Sequence, residues 1–320
     1  MLNAVKSITQ PVRIAARPYI VPLIVPMING VVSIPRKARE QIHALDHWGG
    51  RMVFGNPVAA SFNVRGRLNM RKVARKAASS AKAHNPIGPE LRRTGCVHAP
   101  GLVDPAMLKP VIEEFHRAIE NEELSSSTTN PFFKEHGIEA MRLIHDPLKA
   151  MPSLAPVLEG AITDIVSSYY GTPFICLLAT PYRTYYVPPV LVAQKEALSD
   201  RWHCDDRRTD LLKVFILLRD TDEDMGPFHA LSRADTREAI RRGYRGRNDY
   251  SRARDWMESQ ARRLTGKVGD AMFCNTTLCL HRAGVPGPGR SRDQLELRFL
   301  PTVEGPGADW MEHMDLKAGD

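Results

Sequence analysis

Residues 201–219 read RWHCDDRRTDLLKVFILLR, and a His-x-Asp triplet stands there shortly before an apolar run. Side chains two positions apart in an extended strand point to the same face. His203 and Asp205 can therefore offer an imidazole nitrogen and a carboxylate to one metal ion. The triplet is a weak signal by itself, because the chain contains a second one, His313-Met314-Asp315. Only the first precedes a predicted strand, so we interpret the second as solvent-exposed.

A third ligand is predicted at the end of a later strand, where the chain reads Leu280-His281-Arg282-Ala283-Gly284. Two histidines and one carboxylate on one face of an octahedron leave three positions open, which is the arrangement of non-haem Fe(II) oxygenases. We predict that His203, Asp205 and His281 bind Fe(II) and form the catalytic centre. The alternative is that hydrogen bonds in a barrel core satisfy all three side chains.

Shortly after His281, Arg292 begins a segment with strict period-two alternation. The apolar face carries Leu295, Leu297 and Phe299. The polar face carries Arg292, Gln294, Glu296 and Arg298. An arginine on the polar, inward face of a barrel strand can bind a dicarboxylate through a bidentate pair. Arg290 is the alternative residue for this role, and the phase of the strand favours Arg292.

Helix signals precede strand signals in the globular part of the chain. Asp104-Pro105 favours a helix start, residues 153–170 carry an amphipathic stripe, and Gly171 is a natural helix end. Strand-like segments follow at 174–187, 211–219, 271–281 and 294–300. Because helices and strands do not alternate as βαβ units, we predict a mainly β fold, an antiparallel sandwich or barrel with flanking helices.

Several motifs in the same order resemble the phytanoyl-CoA dioxygenase-like family of Fe(II)/2-oxoglutarate oxygenases, from about residue 91 to 303. The matching stretches are LRRTGCV (91–97) with PGLVD (100–104), WHCD (202–205), LKVFILLRDTDEDMGP (212–227), GDA (269–271) and HRAG (281–284). The first is similar to the family's opening strand and first helix. The resemblance implies a double-stranded β-helix (jelly roll, cupin-like) core with flanking helices. It also implies Fe(II), 2-oxoglutarate as co-substrate, O2, and Arg292 as the 2-oxoglutarate arginine.

Two positions bear on the reaction that the resemblance implies. Asp205 is retained where halogenating relatives have a small residue, so the resemblance implies a hydroxylase or another oxidase, not a halogenase. Relatives usually have Pro-Gly-Ser-His where this chain reads Ser232-Arg233-Ala234-Asp235, in a loop that borders the active site. We therefore expect substrate choice to differ from theirs. The arginine-rich segment 236–265 suggests an anionic or CoA-linked substrate, and a solvated helix explains it equally well.

The N-terminal quarter has a distinct composition. Residues 1–89 contain 14 of the 44 lysines and arginines but only two of the 36 acidic residues. Residues 19–35 (YIVPLIVPMINGVVSIP) form an uncharged run, in which Pro22 and Pro26 disfavour a spanning helix. Two interpretations stay open. The region contacts an anionic membrane peripherally through residues 19–82, or it is an arm packed on the main domain.

We predict three regions: a basic extension (1–89), an oxygenase domain (90–305) and a C-terminal tail (306–320). Nucleic acid is disfavoured as a partner, because aromatic residues do not interleave with the basic run 65–82. The five cysteines are far apart and form no Cys-x-x-Cys pair, which favours a reducing, cytoplasmic location. The basic first 18 residues leave organelle targeting open.

The leading functional prediction is a dioxygenase that hydroxylates a small organic substrate and releases succinate and CO2. The alternative is a non-catalytic jelly-roll binding module whose basic N-terminal region contacts an anionic membrane or nucleic acid. Binding of iron and 2-oxoglutarate distinguishes the two predictions, because only the dioxygenase requires it.

Overall fold

The computed structural model describes residues 85–171, 174–205, 211–248 and 250–301. The described part contains ten strands: β1 (Cys96–Ala99), β2 (Ser125–Ser127), β3 (Met141–Ile144), β4 (Phe174–Tyr185), β5 (Leu212–Leu217), β6 (Phe228–Ala230), β7 (Arg262–Arg263), β8 (Ala271–Cys274), β9 (His281–Ala283) and β10 (Ser291–Pro301). Its helices are α1 (Ile87–Thr94), α2 (Pro105–Ile119), α3 (Pro131–Glu135), α4 (Pro147–Ala150), α5 (Leu154–Val157), α6 (Ala161–Tyr170), α7 (Pro189–Gln194), α8 (Arg233–Arg241) and α9 (Arg254–Gln260).

The strands form two antiparallel sheets. The larger has seven strands in the order β1-β8-β5-β10-β4-β3-β2, and the smaller has three in the order β7-β6-β9. Strands that are distant in sequence lie side by side, as in a jelly roll, and helices flank the larger sheet. The predicted fold class, mainly β with a double-stranded β-helix core, is confirmed.

Strand β10 runs through the middle of the larger sheet, between β4 and β5. Its apolar residues Leu295, Leu297 and Phe299 are fully buried in the main hydrophobic core, which the helices α1, α2, α5 and α6 also line. Burying each such side chain contributes about 1.5–3 kcal/mol. The alternation predicted from sequence therefore holds, and the opposite, polar face of β10 points into the barrel.

Helix α2 begins as predicted. The carboxylate of Asp104 accepts a hydrogen bond of 2.8 Å from the backbone N–H of Ala106, and Pro105 is the first helical residue. The single helix expected over 153–170 is wrong: α5 ends at Val157, and α6 starts after Gly160, whose φ of 69° is not helical. The predicted end at Gly171 is confirmed, with φ 61°.

Two strand predictions are also wrong in their bounds. The stretch 271–281 is not one strand, because β8 ends at Cys274 and His281 starts β9 in the other sheet. Between them the side chain of Asn275 accepts hydrogen bonds from the backbone N–H groups of Thr277 and Leu278, which fixes a turn. The motif 91–97 spans the end of α1 and only the start of β1, so it is not an opening strand.

Two motif glycines meet backbone to backbone. Gly226 ends the acidic turn before β6, and Gly284 follows β9. A Cβ atom added to Gly284 would lie 2.6 Å from the backbone carbonyl carbon of Gly226, closer than real Cβ contacts come. This approach lies at one end of the smaller sheet, where β6 begins and the neighbouring strand β9 ends, and it explains both glycines physically.

The described residues contain no helix long and apolar enough to cross a membrane. The segment 19–35, the basic run 65–82, the second triplet 313–315 and the tail 306–320 lie outside the described residues. The role of the N-terminal region and the three-region division therefore stay predictions. All five cysteines are buried and free in the structure.

Candidate metal centre

The two predicted histidine ligands lie directly opposite each other. The backbone N–H of His203 donates to the carbonyl of His281 at 3.0 Å, and the N–H of His281 donates back at 2.8 Å. Residues 201–205 do not form a regular strand, but this bridge sets the two side chains on the same face. The ring centroids are 4.3 Å apart. Residues far apart in sequence thus become neighbours through backbone pairing alone.

Hydrogen bonds fix which ring nitrogen each histidine offers. The Nδ1–H group of His203 donates to the carbonyl of Arg201 at 2.8 Å, and that of His281 donates to the carbonyl of Cys279 at 3.1 Å. The Nε2 atoms then keep their lone pairs and face Asp205, whose Oδ1 lies 3.9 Å from His203 and 3.8 Å from His281. Burial lowers the pKa of both histidines, which favours the neutral, ligating form.

Asp205 is held so that only one of its oxygens faces the histidines. Its backbone N–H donates to the carbonyl of Thr276 at 3.0 Å, and its Oδ2 accepts from the Thr276 hydroxyl at 2.6 Å. The ammonium of Lys213 lies 3.0 Å from the same Oδ2. Oδ1 remains directed at the two imidazoles. One ligand atom from each of the three residues lies within 4.8 Å of the others, a group that could hold a metal ion.

Lys213 belongs to a chain of four charged groups inside the barrel. Its Nζ also lies 3.3 Å from Glu296, and Glu296 accepts a 2.6 Å hydrogen bond from Nε of Arg298. Burial alone would raise the pKa of Asp205, but Lys213, the two histidines and the Thr276 hydrogen bond together outweigh it and hold the pKa below its usual range. For Lys213, burial would lower the pKa, but Glu296 and Asp205 together raise it. The lysine is therefore charged at neutral pH.

Sequence reasoning missed Lys213 and Thr276. A signal for Lys213 existed, because it is the only charged residue in the otherwise apolar strand β5. Charges are rarely buried without a partner, so a lone lysine in such a strand indicates a carboxylate nearby. Thr276 carried no comparable signal, because its contact depends on the turn between β8 and β9.

Arg292 and Arg290 occupy very different surroundings. Arg292 is 1% exposed and lies on the polar face of β10, next to Tyr182 on β4. Arg290 is exposed in the turn that precedes the strand. Among the described residues, Nε and Nη1 of Arg292 are buried and have no hydrogen-bond partner. The hydroxyl of Thr184, paired with Arg292 across the strands, and the amide nitrogen of Gln294 are likewise unsatisfied.

Such a group of unsatisfied polar atoms is costly unless a ligand or water completes it. The unsatisfied atoms in this group are predominantly donors, and they include two nitrogens of a guanidinium, Nε and Nη1. A charged donor of this kind forms its strongest hydrogen bonds with an anionic oxygen such as that of a carboxylate.

A second network supports the two histidines from behind. Trp202, which precedes His203, is fully buried, and its indole N–H donates to Glu258 at 2.9 Å. Arg282, which follows His281, donates to both oxygens of Glu258, at 3.1 and 2.9 Å. Glu258 lies on α9 and thus joins the neighbours of both histidines. Trp202 is thus a residue of the buried core.

The loop that departs from the family pattern has a structural role here. Ser232 caps α8, because its hydroxyl accepts from the backbone N–H of Asp235 at 3.1 Å and donates to the Asp235 carboxylate at 2.5 Å. Cys204 packs in a buried cluster with Trp202 and Leu231. Two weaker sequence candidates lie outside the described residues: Asp206, which could orient a metal ligand, and the His43/His47 pair, which could bind a metal on a helix.

The arginines of segment 236–265 are engaged mostly with the protein itself. Arg241 and Arg242 pair with Glu238 on the same helix, and Arg262 donates to the carbonyl of Cys96. Arg263 donates to the ring of His229 at 3.1 Å. The segment therefore supports the fold, and its basic character is weak evidence for an anionic substrate.

Comparison with solved structures agrees with the fold. The chain is similar to the non-haem α-ketoglutarate-dependent carbocyclase SnoK from nogalamycin biosynthesis, with a TM-score of 0.50 and 16% identity over 70% of this chain and 85% of that one. It is also similar to the epimerase SnoN of the same biosynthesis (TM-score 0.49, 14% identity, 73% and 82% covered). EctD from S. alaskensis, solved with 2-oxoglutarate and 5-hydroxyectoine, matches with a TM-score of 0.49 and 12% identity (67% and 74% covered).

At these identities the similarity concerns the fold. No protein-family model and no curated protein sequence matches the chain. The fold of these structures agrees with the predicted fold, but membership of the phytanoyl-CoA dioxygenase-like family is not confirmed.

Proposed function

We propose that the protein is an Fe(II)- and 2-oxoglutarate-dependent oxygenase that oxidises a small organic substrate. One observation carries the proposal: the ligand atoms of His203, Asp205 and His281 lie within 4.8 Å of one another in the same barrel as a buried arginine with unsatisfied N–H groups. The triad supplies a metal site, and Arg292 supplies a site for a carboxylate.

The donor set fits ferrous iron. Two imidazole nitrogens and one carboxylate oxygen leave open positions for a chelating co-substrate and O2, the pattern of non-haem Fe(II) oxygenases. The hydrogen bonds on Nδ1 fix the imidazole orientation before any metal binds, and Thr276 with Lys213 occupies the second oxygen of Asp205. Asp205 would therefore ligate through Oδ1 alone.

The surroundings of Arg292 fit the distal carboxylate of 2-oxoglutarate. Nε and Nη1, on different edges of the guanidinium, can each donate to a carboxylate oxygen, and Thr184 and Gln294 add an O–H and an N–H. Such a ligand would satisfy donors that otherwise stay buried without partners. Arg290 is exposed and offers no comparable enclosure, which favours Arg292 for this role.

When bound, iron and 2-oxoglutarate supply the O2-activating chemistry that oxidises the substrate and releases succinate and CO2. The protein's own contribution is positional. His203, Asp205 and His281 fix the metal, Arg292 orients the co-substrate, and the buried aromatic side chains Phe215 and Phe228 beside the triad exclude water. We propose hydroxylation as the reaction, because Asp205 fills the position that a halide would need.

The experiment combines turnover and binding. Purified protein with Fe(II), ascorbate and 2-oxoglutarate should form succinate even without substrate, and calorimetry should detect 2-oxoglutarate binding. Arg292→Gln and His203→Ala should abolish that binding, whereas the matched control Arg290→Gln should change the Kd by less than about threefold. Absence of both succinate and 2-oxoglutarate binding in the wild-type protein would refute the proposal.

A further inference from the structure

The polar face of β10 carries an arginine near each end of the strand, and the two arginines differ in their hydrogen-bond partners. Arg292, Gln294, Glu296 and Arg298 follow one another along this face. Arg292 lies at the start, in the enclosure assigned above to 2-oxoglutarate. Arg298 lies six residues later, linked through Glu296 and Lys213 to the metal-ligating Asp205. Arg298 is paired across the strands with Lys213, so its guanidinium lies beside the charged residues that adjoin the triad, whereas Arg292 lies at the far end of the same face.

Arg298 uses only part of its hydrogen-bonding capacity. Its Nε donates to Glu296 at 2.6 Å, and within the described ranges no side chain or carbonyl accepts from its two terminal nitrogens. The side chain is 28% exposed, whereas Arg292 is 1% exposed. Arg298 is therefore a charged group whose Nε is bound to Glu296 and whose two terminal nitrogens remain available to a ligand. An open guanidinium edge is a binding site for a planar oxyanion.

The charges of the site indicate how much negative charge a further ligand should carry. Without ligands, Lys213 and Arg298 balance Asp205 and Glu296, and Arg292 adds one positive charge. A divalent metal adds two positive charges and 2-oxoglutarate removes two. One positive charge then remains uncompensated in a largely buried site, where compensation is worth more than in water. A monoanion restores neutrality, whereas a phosphate monoester, with a charge of about −1.5 to −2, overshoots.

We propose that the substrate is a small monocarboxylate whose carboxylate pairs with the terminal nitrogens of Arg298, with Lys213 and Glu296 holding that arginine in place. This inference rests on the proposed function and specifies its substrate class. The carboxylate end of the substrate is held at Arg298, and the remainder extends toward the metal position beside Asp205. Arg298 is thus a specificity-determining residue that touches substrate without touching the metal or the co-substrate.

The test measures binding and needs no turnover. Protein loaded with Ni(II), which accepts the same nitrogen and oxygen donors, is saturated with 2-oxoglutarate. It is then titrated calorimetrically with hexanoate, benzoate and 3-phenylpropanoate, with the three primary amides of these acids, and with hexyl and phenyl phosphate. At least one carboxylate should bind about tenfold or more tightly than its amide, since a charge-assisted pair contributes about 1.5–3 kcal/mol.

Variants assign the preference to Arg298. In Arg298→Gln the preference for carboxylate over amide should fall below about threefold, in Arg298→Lys part of it should remain, and in the control Arg290→Gln it should be unchanged. Retained 2-oxoglutarate binding by Arg298→Gln shows that the variant is folded. If Arg298→Gln does not fold, the comparison is made between the wild-type protein and Arg298→Lys. The ratio of carboxylate to amide affinity should then be lower in Arg298→Lys than in the wild-type protein.

Three results would overturn the inference: carboxylates no tighter than their amides, a preference that survives Arg298→Gln, or a phosphate ester that binds more tightly than the matching carboxylate. Failure of the wild-type protein to bind 2-oxoglutarate would instead refute the proposed function itself. The two failures are therefore distinguishable.

Discussion

Thr276 holds Asp205 at two points, accepting from its backbone N–H at 3.0 Å and donating a 2.6 Å hydrogen bond to its Oδ2. The carboxylate is thereby fixed before a metal arrives. Removing a partner that orients a metal ligand typically costs 10- to 100-fold in metal affinity.

We therefore expect Thr276→Val, which keeps the shape and removes the hydroxyl, to weaken Fe(II) or Co(II) binding by about tenfold or more. Competition with a calibrated chelator measures the affinity. The matched control is Thr221→Val, which removes a hydroxyl that donates only to the carbonyl of Arg219. Equal affinities for both variants would contradict the positioning role of Thr276.

Glu258 joins Trp202 and Arg282, the immediate neighbours of the two histidines. Glu258→Gln removes the charge that Arg282 pairs with and keeps the size of the side chain. Because the pair is partly exposed, we expect a loss of about 1–2 kcal/mol in the free energy of unfolding, together with weaker metal binding.

Urea unfolding and metal titration test this prediction. The control Glu238→Gln breaks the ion pairs of Glu238 with Arg241 and Arg242 on the helix surface. It should cost less than about 1 kcal/mol and leave metal binding unchanged. A Glu258→Gln variant as stable as wild type would show that the network is incidental.

His229 makes the stability of the metal-free protein dependent on pH. Burial, aided by the charge of Arg282, lowers the pKa of His229 to about 3. The imidazole of His229 binds a proton near pH 6.5 in the unfolded chain but not in the folded chain. Its contribution to the free energy of unfolding is therefore fully present above pH 6.5 and is lost as the pH falls toward 3. The slope from this group is about 1.4 kcal/mol per pH unit.

Metal-free protein unfolded in urea at pH 7, 6 and 5 should show this loss. The pKa values of His203 and His281 are lowered as well, so they steepen the slope. Between pH 6 and 5, His229→Gln should lower the number of protons taken up on unfolding by about one. The uptake by His203 and His281 should remain. A slope unchanged by that substitution would show that His229 is not the group that titrates.

Gly284 tests the close backbone contact between the start of β6 and the end of its neighbour β9. A Cβ atom there meets the backbone of Gly226 at 2.6 Å, and backbone atoms cannot rotate away. We expect Gly284→Ala to lower the free energy of unfolding by about 3 kcal/mol or more and to displace β9, which carries His281.

Gly287→Ala is the matched control, since its Cβ would meet only the carbonyl oxygen of Asp224 at 3.3 Å. It should change the stability by less than about 1 kcal/mol. Thermal unfolding of both variants measures the difference, and equal melting temperatures would contradict the steric account.

The sequence was most informative where periodicity and local chemistry decide the outcome. The alternation in β10 correctly separated the core residues from the barrel-facing residues, and the Asp104-Pro105 start of α2 followed from capping alone. The His203/His281 pair was predicted from the place of each histidine beside a predicted strand, and the order of several motifs supported it. No local rule links residues so far apart in sequence.

The failures have a common physical reason. The break at Gly160 and the turn at Asn275 depend on how the flanking elements pack, which hydrophobic periodicity does not record. Thr276 and Glu258 act through contacts across turns and between elements. Lys213 was detectable in principle, as a charge in an apolar strand, but its partners Asp205 and Glu296 become evident only once β5 and β10 are paired.

The backbone bridge between His203 and His281 also bears on metal selection. Because folding itself brings the two imidazoles together, the metal-free chain already has the coordination geometry and need not reorganise around an ion. A pocket formed in advance by main-chain bonds accepts divalent ions in order of their intrinsic affinity, so Ni(II), Cu(II) or Zn(II) can displace iron. Under the proposed function, supply in the cell would decide which ion occupies the site, and preparations inactivated by another metal should recover on exchange without refolding.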